Sequence, residues 1–288
     1  MPIGIPSKEY EVMLKDTAIG FIGGGVMCEA IINSLLKGAG VDPSHITIAE
    51  PIAERRAHLA ARYGVNVTAS NPEAAMQSTI CVLSVKPQVM ASAIADMHTS
   101  LNPSTLVISI AAGVSINAIA QIFGDAQPIV RVMPNTPAQI GEGMSVWTCT
   151  ATVTAEQRSQ AKAILASMGK EAYFDDEHYI DMATAISGSG PAYVFLFMEA
   201  LIDAGVHLGF SRPVAQQLVE QTIKGSIDFA IQTGKYPTEL RNQVTSPGGT
   251  TAAALYELER GGMRTTLADG VWAAFKRALE LGKPKNIN

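Results

Sequence analysis

At 288 residues the chain is long enough to bury a sizeable core, and its length favours about two domains over one. A composition of 47% hydrophobic and 16% charged residues excludes a disordered chain. A net charge of −5 without a long Lys/Arg run gives no field for phosphate backbones, so no nucleic-acid partner is expected.

Residues 1–16 read as an N-terminal extension, in which Lys8, Glu9, Glu11, Lys15 and Asp16 leave no apolar core for a signal peptide. From Thr17 to Glu177, apolar β-rich runs at 18–23, 46–49, 80–85, 106–111 and 129–133 alternate with helical patterns such as 27–37 and 53–63. Near-continuous apolar strands belong to a parallel sheet covered on both faces, so 17–177 is expected to be a dinucleotide-binding, doubly wound α/β domain of Rossmann type. Beyond 177 the strand signal stops, and helices at 180–185, 192–208, 213–232, 250–260 and 263–281 make 178–288 an all-helical domain. Ser211 before Arg212 and Pro213 reads as an N-cap, and Gly209, Gly234 and Gly282 sit where helices end. Apolar runs such as 106–114 are too short to cross a bilayer, so no membrane association and a cytoplasmic location are expected. Cys28, Cys81 and Cys149 are odd in number, far apart and set in apolar runs, which suits buried thiols rather than disulfides, and no metal site is expected.

The first strand runs into Gly20-Phe-Ile-Gly23-Gly-Gly25-Val-Met27-Cys28 and then an amphipathic helix, the context that gives a glycine fingerprint its meaning. Gly23 suits the tight turn, Gly25 the close approach of a pyrophosphate, and the amides of Val26 and Met27 the positive end of the helix. Cys28 replaces the third expected Gly or Ala, and a ligand-free turn is the alternative. Glu50 ends the second strand where a carboxylate would hold the adenine ribose hydroxyls, which points to NADH. Arg55 and Arg56 offer charge for a 2′-phosphate, although a solvated helix face is their simpler role. NADPH or NADH is the expected cofactor.

Six segments in order resemble pyrroline-5-carboxylate reductases over almost the whole chain beyond the extension. They are Phe21-Ile-Gly-Gly-Gly25, Val85-Lys-Pro87, Ser109-Ile-Ala-Ala-Gly113, Arg131-Val-Met-Pro-Asn-Thr-Pro137, Ser187-Gly-Ser-Gly-Pro-Ala-Tyr193 and Thr245-Ser-Pro-Gly-Gly-Thr-Thr251. The resemblance implies an enzyme that reduces Δ1-pyrroline-5-carboxylate, a small-molecule substrate, to L-proline with NAD(P)H. It also implies that Asn71, Val85, Lys86, Pro87, Ala111 and Ala112 line the cofactor, in agreement with the crevice expected outside the carboxyl ends of the strands. Without it, Lys86 is a surface lysine and Asn71 a helix cap before Pro72. For Asn135, structural support and ligand contact both stay open.

Ser246-Pro-Gly-Gly-Thr-Thr251 precedes a helical run, so its amides form either an anion nest or a plain capping loop. The resemblance favours the nest for the substrate carboxylate, with Gly248 and Gly249 closing around the ring and Thr250 and Thr251 supplying amides. It makes Ser246 a hydroxyl donor and sets the Thr251 hydroxyl facing the ring nitrogen; these two are the catalytic candidates. Glu177 is carried over as a substrate or product contact, while Asp175 and Asp176 beside it permit a plain acidic turn. Ser187 and Ser189 lie in a segment that reads as a close-packing kink and that in the family supports the active site. A protonated imine accepts hydride without a strong catalytic acid. His45, His58, His98, His178 and His207, scattered singly, accordingly read as surface or packed residues.

Two rival readings remain. β-Hydroxyacid dehydrogenases share the early fingerprint but place a catalytic lysine shortly after a Gly-rich segment, and none follows Gly188-Ser-Gly190 here. A non-catalytic dinucleotide sensor is the other. The apolar helices at 192–208 and 252–258 offer surface to a second subunit, and the resemblance implies an intertwined homodimer whose helical domains complete each other's active sites. Dimers assembling into a higher oligomer are compatible with it.

Overall fold

The structure, a computed structural model, describes residues 14–282, so the extension before residue 14 lies outside the described residues. Eight strands form one sheet: β1 (Ile19–Ile22), β2 (Ile46–Ala49), β3 (Asn66–Thr68), β4 (Ile80–Leu83), β5 (Leu106–Ser109), β6 (Ile129–Met133), β7 (Gly143–Cys149) and β8 (Gly169–Tyr173). Their order is β3-β2-β1-β4-β5-β6-β7-β8, and every neighbouring pair is parallel except β6–β7. The strand order reverses between β1 and β4, which creates the crevice where doubly wound sheets take ligands.

Phe21 and Ile22 explain why such strands are apolar throughout. They are consecutive on β1, both are 0% exposed, and they enter the two different cores on opposite faces of the sheet. One face is covered by α1 (Val26–Gly38), Leu59 of α2 (Ala53–Tyr63) and α6 (Ala155–Ser167), the crossover between β7 and β8. The other is covered by α3 (Asn71–Met76), α4 (Pro87–Met97) and α5 (Ile116–Phe123). Each fully buried Ile, Leu or Phe contributes about 1.5–3 kcal/mol, so a polar residue on either face would have to be matched by a partner.

Three strands escaped the sequence reading. β3 is short and partly exposed, β8 is a polar edge strand, and β7 carries Ser145 and Thr148 among its buried residues. The expected strands at 18–23, 80–85 and 106–111 end earlier than their apolar runs, because Gly23, Val85 and Ala111 leave the sheet as loops.

Residues 14–189 and 274–282 form one compact unit, and Gly190–Ala273 form a second. The first unit therefore passes the expected boundary after residue 177. It includes α7 (His178–Ala183), held to β6 by the ion pair between Arg131 and Asp181, and the π-helical turn Thr184–Gly188. A Cβ on Gly188 would meet the terminal Cε of Met133, whose flexible side chain would have to shift.

The second unit holds α8 (Gly190–His207), α9 (Arg212–Thr233), α10 (Pro237–Gln243), α11 (Thr250–Arg260) and the first part of α12 (Met263–Leu281). Ser211 stands at the N-cap of α9 without a side-chain cap bond, and Gly234 ends that helix at φ +64°. Within Gly190–Ala273, Ala215 alone is buried among the described residues, while Phe195, Leu196, Phe229, Ile231, Tyr256 and Trp272 are each more than half exposed. This unit has no core of its own. The helical stretch His178–His207 also contains an 18-residue window of mean hydropathy 1.4, long and apolar enough to cross a membrane, contrary to the expectation from short runs. Ser, Thr and Gly interrupt its consecutive apolar residues without adding charge.

Candidate functional site

In the first unit, the carboxyl ends of β1 to β5 bring together every residue expected to line a dinucleotide. Gly23 turns the chain out of β1 at φ +99°, and an added Cβ would overlap Val85 and Ser84. The Ser84 hydroxyl fastens this turn by donating to the Gly23 carbonyl at 2.7 Å. Gly25 then caps α1 with no side-chain hydrogen bond, and the first helical bond runs from Glu29 N–H to Gly25 O. The amides of Val26, Met27 and Cys28 precede that bond and lack helical acceptors. A Cβ on Gly25 would meet nothing within 4 Å. An open cradle of unpaired amides at a helix's positive end fits the diphosphate of a dinucleotide.

Glu50 follows β2 and is fixed on both oxygens: Oε2 accepts from Gly24 N–H at 3.0 Å and Oε1 from Ile52 N–H at 3.0 Å. Arg55 and Arg56 are not a solvated face. Arg55 Nε donates to the Gly24 carbonyl at 2.7 Å and its Nη2 pairs with Glu29 at 2.9 Å. Arg56 Nη1 donates to the carbonyls of Glu50 and Pro51 at 2.7 and 2.8 Å. Loop carbonyls with no strand partner draw both guanidinium groups inward.

Asn71 is not the cap of α3; Ser70 is, accepting from Glu73 N–H, so the Asn71 side chain stands one residue inside the helix. Lys86 occupies the N-cap of α4 with an exposed side chain, Pro87 begins the helix, and Val85 is half-buried. Ala111 is 5% exposed and Ala112 more so, which leaves mainly their backbone to meet a ligand. A depression of about 780 Å³ around Asp16, Ser78, Thr105 and Gln157 includes no cationic side chain, so it offers a diphosphate no partner.

Glu177 is engaged by the protein itself. Its Oε1 accepts from Arg131 Nη1 at 2.7 Å and from Ile116 N–H, at the start of α5, at 2.7 Å. Arg131 is 2% exposed on β6 and also donates to Asp181 at 2.6 Å, so Glu177 answers a buried charge before it can answer a ligand. The sequence reading missed this network, whose signal was an arginine inside the apolar run Ile129-Val-Arg131-Val-Met133. Asn135 is likewise structural: its Nδ2 donates to Ser187 O and its Oδ1 accepts from Met144 N–H. The Ser187 hydroxyl donates to Ala183 O, and Ser189 N–H to Thr184 O, within the π-helical turn.

In the second unit, residues 245–251 form the expected loop. Gly249 N–H donates to Ser246 O at 3.1 Å, Gly248 takes φ +69°, and Gly249 caps α11 without a side-chain hydrogen bond. Thr250 and Thr251 open the helix, with Ser246 exposed and Thr251 half-buried. Their amides form an N-terminal nest suited to a carboxylate.

The thiols of Cys28 and Cys81 are buried, and burial drives the Cys28 thiol well above its ordinary range and Cys81 to about 12. Among the described residues, no cluster of three or more His, Cys, Asp or Glu could hold a metal.

The model for pyrroline-5-carboxylate reductase dimerisation matches residues 177–281, and that for coenzyme F420-dependent NADP oxidoreductases matches residues 18–113. A pyrroline-5-carboxylate reductase of Synechocystis is 43% identical over 92% of this chain and 98% of its own. The chain belongs to the pyrroline-5-carboxylate reductase family. A Plasmodium falciparum pyrroline carboxylate reductase with NADP bound superimposes with a TM-score of 0.86 at 34% identity, over 93% of this chain and 99% of that one. A pyrroline-5-carboxylate reductase of Coxiella burnetii gives 0.85 at 36% identity, with the same coverage. Family membership accounts for both matched halves, the sheet with its glycine loop and the coreless helical unit.

Proposed function

We propose that this chain reduces Δ1-pyrroline-5-carboxylate to L-proline with NAD(P)H, the final step of proline biosynthesis. Membership of the reductase family over nearly the whole chain carries the reading, and the open glycine cradle on the sheet supports it. Bound NAD(P)H supplies hydride from nicotinamide C4. The imine carbon, C5 of the pyrroline, accepts that hydride, and the ring nitrogen takes a proton to become the secondary amine.

Gly23, Gly25, Val26 and Met27 hold the diphosphate, Glu50 the adenine ribose, and Asn71, Val85, Lys86, Pro87, Ala111 and Ala112 line the path along the strand ends. The Ser246–Thr251 nest takes the substrate carboxylate on its amides, with Ser246 adding a hydroxyl donor. The Thr251 hydroxyl stays hydrogen-bonded to the ring nitrogen as its charge changes, as a relay rather than an ionised base, because a threonine hydroxyl has a high pKa. The protein's main task is to hold the two rings at reacting distance. Glu177 supports Arg131 and α5 through its Oε1.

The helical region that the dimerisation model matches, residues 177–281, binds substrate and mediates dimerisation. A homodimer supplies the core that the helical unit lacks, so the apolar face of α8 is covered by protein rather than lipid, and the enzyme works in the cytoplasm. Assembly of dimers into a larger oligomer extends the same reading. Oxidation of NADH and NADPH should be followed with pyrroline-5-carboxylate and, separately, reduction of NAD+ and NADP+ with 3-hydroxy acids. Turnover confined to the pyrroline supports the reading; turnover of the hydroxy acids alone contradicts it, and binding without turnover favours a sensor.

A further inference from the structure

The glycine loop is held from outside by a side chain of α2. Arg55, in the first turn of α2, reaches Gly24 O with its Nε at 2.7 Å. Its Nη2 is braced at 2.9 Å by Glu29, which belongs to the first turn of α1, the helix that this loop opens. Burial opposes ionisation of Glu29, but the hydrogen bond and charge of Arg55, with Arg62 and His58, outweigh it and hold the carboxyl below its ordinary range. On the other side, Gly24 N–H donates to Glu50 Oε2 at 3.0 Å. Both polar groups of Gly24 are therefore gripped by charged side chains.

The peptide between Gly24 and Gly25 is trans, so its carbonyl and the Gly25 N–H point in opposite directions. Holding the oxygen on Arg55 turns the Gly25 N–H away from α2. Between two glycines this unit flips easily, because neither residue has a Cβ to exclude the alternative dihedrals. A flip would replace the N–H with a carbonyl oxygen and set its lone pairs against an anion.

We propose that Arg55 is a positioning residue for the dinucleotide diphosphate, locking the Gly24–Gly25 peptide in its amide-outward state without contacting the phosphate; this rests on the cofactor reading above. It separates Arg55 from any role in choosing between the two cofactors.

Equilibrium binding of NADH and of NADPH, read by nicotinamide fluorescence, tests this on the unmodified protein, Arg55→Ala, Arg55→Lys and Arg62→Ala at low and high salt, with circular dichroism to verify folding. Arg55→Ala should weaken both cofactors by a similar factor of about 10–100, as for one charge-assisted hydrogen bond, leaving their affinity ratio unchanged. The loss should persist in high salt, which screens a through-space charge but not a lost hydrogen bond. KM for the pyrroline at saturating cofactor should not move. Arg55→Lys should recover part of the affinity, since an ammonium lacks the fork that reaches both acceptors, and it carries the comparison if the alanine variant does not fold. Arg62→Ala removes the same charge from α2, at 3.9 Å from Glu29, and should bind like the parent. Unchanged binding in Arg55→Ala overturns the proposal. So does a loss confined to NADPH, which makes Arg55 a 2′-phosphate ligand, or a loss that vanishes in high salt or is shared by Arg62→Ala. If the unmodified protein binds neither dinucleotide, the cofactor reading itself fails.

Discussion

Glu50 accepts the Gly24 amide at 3.0 Å, so the acid at the end of β2 and the glycine loop after β1 form one unit before any ligand arrives. A second amide, from Ile52, fixes the other oxygen. With Glu50 at the adenine ribose, as proposed, its charge favours hydroxyls and opposes a 2′-phosphate. kcat/KM should be higher with NADH than with NADPH. Glu50→Gln removes the charge, together with one of the two amide hydrogen bonds because a carboxamide has a single acceptor oxygen, and should shift the ratio towards NADPH by about 10-fold or more. A parent enzyme that prefers NADPH, with a ratio unmoved by Glu50→Gln, would remove Glu50 from this role.

Arg131 is a buried cation whose partners, Glu177 and Asp181, are themselves partly exposed. Asp181→Ala leaves the arginine under-compensated inside the protein, whereas Arg131→Met removes the buried charge and leaves two carboxylates that water can reach. Urea unfolding should show Asp181→Ala costing about 2–4 kcal/mol and Arg131→Met costing less. The reverse order would mean that the network stabilises by attraction and not by answering a buried charge.

Much of this was legible in the sequence, and the misses share a cause. Continuous apolar runs revealed the buried strands, as the paired burial of Phe21 and Ile22 on opposite faces explains. β3 and β8 stayed hidden because short or polar edge strands carry no such pattern. Gly23 and Gly25 could be assigned from spacing, since turn geometry is local. The grip of Arg55 on Gly24 and the capture of Glu177 by Arg131 depend on residues 31 and 46 positions apart, and no local pattern reports them.

Thr251→Ala keeps the backbone amide and deletes the hydroxyl. kcat/KM should fall by about one to three powers of ten, the loss of one hydrogen bond that strengthens as the nitrogen changes charge, with NAD(P)H affinity nearly constant. Ser246→Ala should chiefly raise the KM for the pyrroline, because a carboxylate contact serves ground and transition states alike. Wild-type kinetics in Thr251→Ala would remove that hydroxyl from the mechanism.

A helical unit whose described residues include one buried side chain needs a second chain to complete it. Sedimentation and activity measured together on dilution should fall in step, as for an obligate dimer. Full activity in a demonstrated monomer would contradict the shared core.

The central claim is hydride addition to the imine carbon, and isotope transfer tests it most directly. With NADH or NADPH carrying deuterium at the transferring C4 position, and pyrroline-5-carboxylate as substrate, the proline formed should hold one deuterium at C5 for each cofactor oxidised. Cofactor oxidation without labelled proline, or a label at any other carbon, would contradict the account.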